Sequence, residues 1–158
     1  MSTAAQDKEN TLILTLDTGP VVIRLRPDKA PGHVARIKEL AREGFYDGVV
    51  FHRVIDGFMA QGGDPTGSGV GGSEKDDLRA EFNDISHQRG VCSMARSNDP
   101  HSANSQFFIC FDDASFLDKK YTVWGEVVEG MENVDKLPKG EPPRKPGKIV
   151  SARVAADV

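Results

Sequence analysis

The sequence predicts a mainly β fold, a closed barrel or a sandwich, carrying two helices. Three observations predict it: many short runs rich in β-branched and aromatic residues, turn-forming residues between them, and only two stretches of helical character. The 158 residues include 16 Gly and 9 Pro, more turn formers than a helical bundle uses. No repeat and no linker divides the chain. One domain over residues 11–158 is therefore expected, behind a flexible polar tail over residues 1–10. Strand pattern alone leaves barrel and sandwich open.

The elements follow in order. Thr11 to Leu16 and Val21 to Leu25 are β-rich runs around Asp17-Thr18-Gly19-Pro20, which reads as a hairpin. Pro31 to Arg42 is the best helix: Val34, Ile37, Leu40 and Ala41 share one face, Pro31 suits the first turn and Gly44 the stop. Val49 to Val54 and Phe58 to Gln61 are short strands around Asp56-Gly57, and a Gly-rich loop runs from Gly62 to Asp77. Val91 to Ala95, Gln106 to Phe111 and Tyr121 to Val127 are strand-like. A short helix over Gly130 to Leu137, a Pro- and Lys-rich loop over Pro138 to Lys148 and a last strand over Lys148 to Val154 complete the chain.

Composition and spacing exclude several chemistries. The net charge of -4 argues against a nucleic-acid partner, which calls for a basic face. No apolar run is long enough to span a bilayer, and the first ten residues lack the apolar segment of a signal peptide. A cytoplasmic protein without a membrane partner is expected, and nothing suggests more than a monomer. Cys92 and Cys110 each sit in an apolar run without CxxC spacing, so buried free thiols are expected rather than a disulfide. His33, His52, His87 and His101 show no zinc-site spacing. Gly67 to Gly72 spells GxGxxG, but no strand precedes it and no apolar helix follows, so a surface loop is expected rather than a dinucleotide site. Ser93 lacks a nucleophile elbow. Asp112 and Asp113 read as a turn or cap rather than a catalytic pair.

The informative stretch is Phe51 to Asp64, which sets a cation, two large apolar side chains and an amide in short order. On alternating strands, Arg53 and Gln61 can converge beside Phe58 and Met59. The plainer alternative is a structural ion pair for Arg53 and core positions for Phe58 and Met59. In Ser105 to Ile109 the adjacent Phe107 and Phe108 point to opposite faces of a strand, so one can fill the core while the other lines a pocket.

FHRVIDGFMAQGGD (Phe51 to Asp64), SQFFIC (Ser105 to Cys110), FLD (Phe116 to Asp118) and YTVWGEVVEGM (Tyr121 to Met131) together resemble the signature blocks of cyclophilins, in order and in spacing. The likeness runs from about Thr11 to Val154 and has a bacterial flavour. It implies a closed eight-stranded antiparallel β-barrel capped by two helices, with its site in an open groove on the outer face. It implies peptidyl-prolyl cis-trans isomerase activity on Xaa-Pro segments of other proteins, by a non-covalent route that calls for no metal or cofactor. Arg53 matches the catalytic arginine. Phe58, Met59, Phe108 and Leu117 match the proline pocket, and Gln61 the residue that orients the peptide. Ala95, Arg96 and Gln106 match the groove for the chain preceding proline.

Three positions depart from many members. Arg96 stands for Asn and adds a charge to the groove. Phe116 stands for a Trp that contacts cyclosporin, so any binding of that drug is expected to be weak. Tyr121 stands for His and keeps a polar wall. Two other readings share the resemblance: a module that grips Pro-containing segments with incidental catalysis, and a scaffold that only interacts.

Overall fold

The computed structural model describes residues 8–158. The tail expected over residues 1–10 therefore lies largely outside the described residues; Glu9 and Asn10 accept hydrogen bonds from Lys38 at 2.9 and 3.0 Å. Eight strands form one antiparallel sheet: β1 Thr11–Leu16, β2 Gly19–Leu25, β3 Arg53–Ile55, β4 Met59–Gly62, β5 Val91–Met94, β6 Phe107–Cys110, β7 Val123–Glu129 and β8 Ile149–Val154. Their spatial order is β3-β4-β6-β5-β7-β2-β1-β8. Within the described residues, helices α1 Pro31–Arg42 and α2 Met131–Asp135 accompany them.

In β1 and β2, buried apolar residues alternate with more exposed ones, whereas β5 and β6 are buried on both faces. In β1, Leu12, Leu14 and Leu16 are buried, and in β2 Val21, Ile23 and Leu25. Helix α1 turns Val34, Ile37, Leu40 and Ala41 inward, with Pro31 in its first turn. Its first backbone donors are met by Glu81, whose carboxylate accepts from Gly32 N at 3.1 Å and His33 N at 2.8 Å. Beyond its last turn, Gly44 has a φ of +72°, a conformation glycine adopts without strain. Within the curled sheet, Phe107 meets Tyr46, Phe51 and Trp124 edge to face, with centroids 5.5, 6.2 and 5.8 Å away.

The expected closed barrel is not what forms. The sheet is open and curled, with β3 and β8 as its two edges. Register shifts at Thr15/Leu16, Val22/Ile23 and Cys92/Ser93 bend the strands, as bulges do. Scattered backbone bonds cross the gap: Gly48 N to Ile149 O, Ile149 N to Val49 O and Phe51 N to Gly147 O, at 2.7 to 2.8 Å. The reason lies in the chain before β8. Pro138, Pro142, Pro143 and Pro146 fall there, and proline cannot donate to a ladder. That segment instead lies against β3, where Val54 and Gly140 exchange two backbone bonds of 2.8 Å. A loop thus covers the edge. Among the described residues, no helix is long and apolar enough to cross a membrane.

Candidate active site

Strands β3, β4, β6 and β5 build the site by their register. Arg53 pairs with Gln61, Gln61 with Phe108, and Phe108 with Ser93. Residues paired across a sheet point to the same side, so this row shares the outer face. The neighbouring row, Val54, Ala60, Ile109 and Cys92, faces the main core. Phe107 and Phe108 divide as expected, Phe107 inside and Phe108 in a second apolar cluster with Met59, Cys110 and Ala114.

That cluster floors a cavity of about 130 Å³. Arg53 and Gln61 form its polar side; Phe58, Met59, Phe108 and Leu117 its apolar side; Ala95, Arg96 and Tyr121 its far wall. The elements deliver these residues by different means. Phe58 leaves the β3–β4 turn, where Gly57 has a φ of +73°. Leu117 comes from the 3-10 turn Ser115–Leu117, preceded by Asp113 Oδ1 accepting from Ser115 N at 2.8 Å. Asp113 thus closes a local turn just before Ala114, which is the N-cap, so of the two roles its sequence context suggests it takes the turn. A larger cavity of about 540 Å³ adjoins the first and shares Gln61, Ala95 and Arg96 with it. Its other walls are the loop Gly69 to Ser73 with Ser102, Asn104 and Gln106.

Nine of the eleven residues singled out from the sequence line the smaller cavity. The other two stand beside it. Gln106 belongs to the larger cavity, and its Oε1 accepts from Gln61 Nε2 at 3.0 Å. Phe116 is 64% exposed and packs against Phe58 with centroids 5.7 Å apart, at the mouth rather than in the lining. Arg96 spends its donors on carbonyls: Nε and Nη2 reach Lys120 O at 2.9 and 2.6 Å, and Nη1 reaches Ser97 O at 2.9 Å. Its guanidinium lies 4.7 Å from the Tyr121 ring centre. The Arg96 charge therefore stays at the rim without a carboxylate among these partners.

The ion pair weighed as the plain reading of Arg53 is also present. Arg53 Nε donates to Glu141 Oε1 at 2.9 Å while Nη1 donates to Gln61 Oε1 at 3.4 Å. Arginine can do both because it presents five donors around a rigid plane. From Glu141 a polar chain runs through Arg53, Gln61 and Gln106 to the carbonyls of Gly69 and Gly71, at 3.0 and 2.9 Å from Gln106 Nε2. The GxGxxG stretch is thus a wall loop, and it wraps a buried carboxylate. Asp64 accepts from Thr66 N and Oγ1, Ser68 Oγ, Gly69 N and Gly71 N at 2.7 to 3.2 Å. Burial pushes the Asp64 carboxyl up, but those hydrogen bonds outweigh it and hold the group well below the usual carboxylate range.

Sequence reading missed what lies under Phe108. The His87 ring stacks on Phe108 with centroids 6.0 Å apart. Its Nδ1 lies 2.9 Å from Asp118 Oδ1 and its Nε2 3.0 Å from Ser93 Oγ. This serine–histidine–aspartate order is not a nucleophilic site, because Ser93 and His87 are wholly buried and no substrate carbonyl can reach them. It supports the pocket floor. Both cysteines are free and buried. Burial pushes the Cys110 thiol up to about 12, and Cys92 likewise upward, which keeps both inert.

Residues 11–154 match the family model described as "Cyclophilin type peptidyl-prolyl cis-trans isomerase/CLD". The chain belongs to the cyclophilin-type peptidyl-prolyl cis-trans isomerase family. A Brucella suis protein named probable peptidyl-prolyl cis-trans isomerase is 52% identical, over 98% of this chain and 87% of its own. The rat peptidyl-prolyl cis-trans isomerase-like 3 is 41% identical over 82% of each. The crystal structure of cyclophilin AquaCyp293 from Hirschia baltica superposes with a TM-score of 0.89 at 34% identity, covering 96% of this chain and 76% of that one. A Cryptosporidium parvum cyclophilin solved in the presence of the dipeptide Ala-Pro superposes at 0.85 with 27% identity, covering 91% and 98%. As a cyclophilin, this chain is an enzyme, an isomerase of Xaa-Pro peptide bonds.

Proposed function

We propose that this cyclophilin turns the prolyl bond on its outer groove with Arg53 as the reacting cation and the 130 Å³ cavity as the seat of the proline ring. One observation carries the reading: a guanidinium, an amide and an apolar cavity lie in one cross-strand row on the solvent side of the sheet. Support comes also from the Cryptosporidium relative, which was crystallised with Ala-Pro.

The chemistry asks for little more. An Xaa-Pro bond prefers trans only slightly, yet its partial double bond sets a barrier of roughly 18–20 kcal/mol. No bond breaks, so neither nucleophile nor oxidant is required. At the twisted transition state the amide loses resonance and the proline nitrogen gains a lone pair. Arg53 donates to that lone pair and finds no comparable acceptor in the planar ground state, so its help is differential. Phe58, Met59, Phe108 and Leu117 hold the ring and keep water out, which strengthens the contact. Gln61 orients the peptide carbonyl, while Gln106 and the Ala95–Arg96 backbone hold the chain before proline. One charge-assisted hydrogen bond, worth roughly 1.5–3 kcal/mol, accounts for about ten- to a hundredfold. Holding a twisted conformer supplies the rest. The expected substrates are exposed Xaa-Pro segments of folding proteins.

Cis/trans exchange of an Ala-Pro peptide, followed by NMR, tests this. Fast exchange with the wild type and a loss of about ten- to a hundredfold with Arg53→Ala is the expected outcome. Undiminished exchange in the variant sinks the role of Arg53. Tight peptide binding without exchange by the wild type favours the proline-binding module instead.

A further inference from the structure

Arg53 cannot hold itself in place. Its side chain is long and 44% exposed, and the Gln61 contact, at 3.4 Å, is a long one. A free guanidinium samples many rotamers, and each productive encounter must then order it. The shorter hydrogen bond, 2.9 Å from Nε, goes to Glu141. The backbone that carries this carboxylate is itself set in place. Gly140 exchanges two backbone bonds with Val54, each 2.8 Å, which lays residue 141 alongside Arg53 at the edge of β3. Gly140 has a φ of +145°, and a Cβ there would meet Pro143 Cα at 2.7 Å, so the bridge depends on glycine. Just before it, Lys139 is pinned, its Nζ donating to Asp135 O at 2.8 Å and Leu137 O at 3.0 Å. The loop is thus tied at the two residues immediately before Glu141.

We infer that Glu141 is a positioning residue for the reaction: it takes the Nε edge of Arg53, sets the guanidinium plane against Gln61 and leaves the remaining Nη donors for the proline nitrogen. The inference rests on Arg53 being the reacting cation. Glu141 touches no substrate. It acts by ordering Arg53 before the substrate arrives, so its contribution falls on kcat rather than on KM.

Three variants of the full chain test it: Glu141→Ala, Glu141→Gln and Arg53→Ala, with Glu141→Ala also placed in the Arg53→Ala background. The probe is an Ala-Pro peptide, and the Arg53 Nε–H signal is followed by ¹⁵N NMR, assigned by its disappearance in Arg53→Ala. Glu141→Ala is expected to lower kcat by about two- to fivefold, the scale of an exposed ion pair, with KM nearly unchanged. The Nε–H should lose its protection from exchange with water. Glu141→Gln, whose amide oxygen still accepts from Nε, should recover most of both losses. In the Arg53→Ala background, Glu141→Ala should change nothing further. An unaltered Nε–H signal, an unchanged or faster kcat, a glutamine as harmful as alanine, or losses that multiply in the double variant would each overturn the inference. If Arg53→Ala slows exchange while Glu141→Ala is silent, only the inference falls. If Arg53→Ala keeps full activity, the reading of Arg53 falls and the inference with it.

Discussion

The two faces of strands β4, β5 and β6 hold two apolar clusters separated by a single backbone layer, and they do different work. The inner cluster is continuous with β1, β2, β8 and α1 and includes residues of every size from Ala60 to Trp124. The outer one has Met59, Phe108, Cys110 and Ala114 buried, with Ile55, Phe58, Ala95, Leu117 and Tyr121 partly open around it. Adjacent residues therefore serve opposite ends. Phe107 completes an aromatic hub that excludes solvent altogether, whereas Phe108, stacked on His87, leaves a face for a ligand. Apolar surface left uncovered on one side of a filled sheet is a binding site because the inner side already supplies stability.

The largest effect should come from the inner hub. Phe107→Ala is expected to lose about 3–5 kcal/mol of stability in urea titration, because a large cavity opens among residues that cannot collapse into it. The fraction still folded should keep its KM. A loss no larger than that of Phe108→Ala would erase the distinction between the faces.

Phe108→Ala should reverse the pattern. Its site already borders an open cavity, so the stability loss is smaller, while kcat/KM falls by more than about tenfold as the ring seat disappears. Parallel urea and exchange measurements on the two variants check this directly. Equal kcat/KM for Phe108→Ala and wild type would move the seat of proline elsewhere.

The wall loop offers a pH test. The unfolded chain protonates Asp64 at about pH 4, but the folded chain does so only at lower pH. The unfolded state thus binds the extra proton in that window, and stability rises with pH across it. The contribution of Asp64 is fully present above about pH 4 and is withdrawn as the pH falls below. Asp64→Asn should therefore be less stable than wild type at pH 5, and the gap should narrow at pH 3. A gap that does not change with pH would show that the carboxylate charge is not what the loop holds.

The smallest effect belongs to Arg96. With its donors on carbonyls, its charge should favour acidic over basic residues near the substrate proline by a few-fold at low salt, fading toward physiological ionic strength. Equal turnover of the two peptide series at low salt would show the charge to be fully screened at the rim.

Much of this was readable from residues in a row. β-rich composition around a turn placed β1 and β2, the spacing of Val34, Ile37, Leu40 and Ala41 placed α1, and the adjacency of Phe107 and Phe108 required that they face opposite sides. The last two follow from a local period of the backbone. The four signature blocks carried the family, and nine of the eleven residues that the resemblance marks, Ala95 and Arg96 from outside those blocks among them, meet around one cavity. What local pattern could not supply depends on partners far apart in sequence. Glu141 lies 88 residues from Arg53, and His87 lies 31 from Asp118; nothing in the Pro- and Lys-rich stretch around Glu141 marks it. The open sheet is of the same kind. Strand runs were visible, but whether edges join depends on the prolines before β8 and on the Gly140 bridge that occupies β3. Periodicity determines which way a side chain faces. Which distant group it meets there is decided only when register, bulges and loop closure bring the strands together.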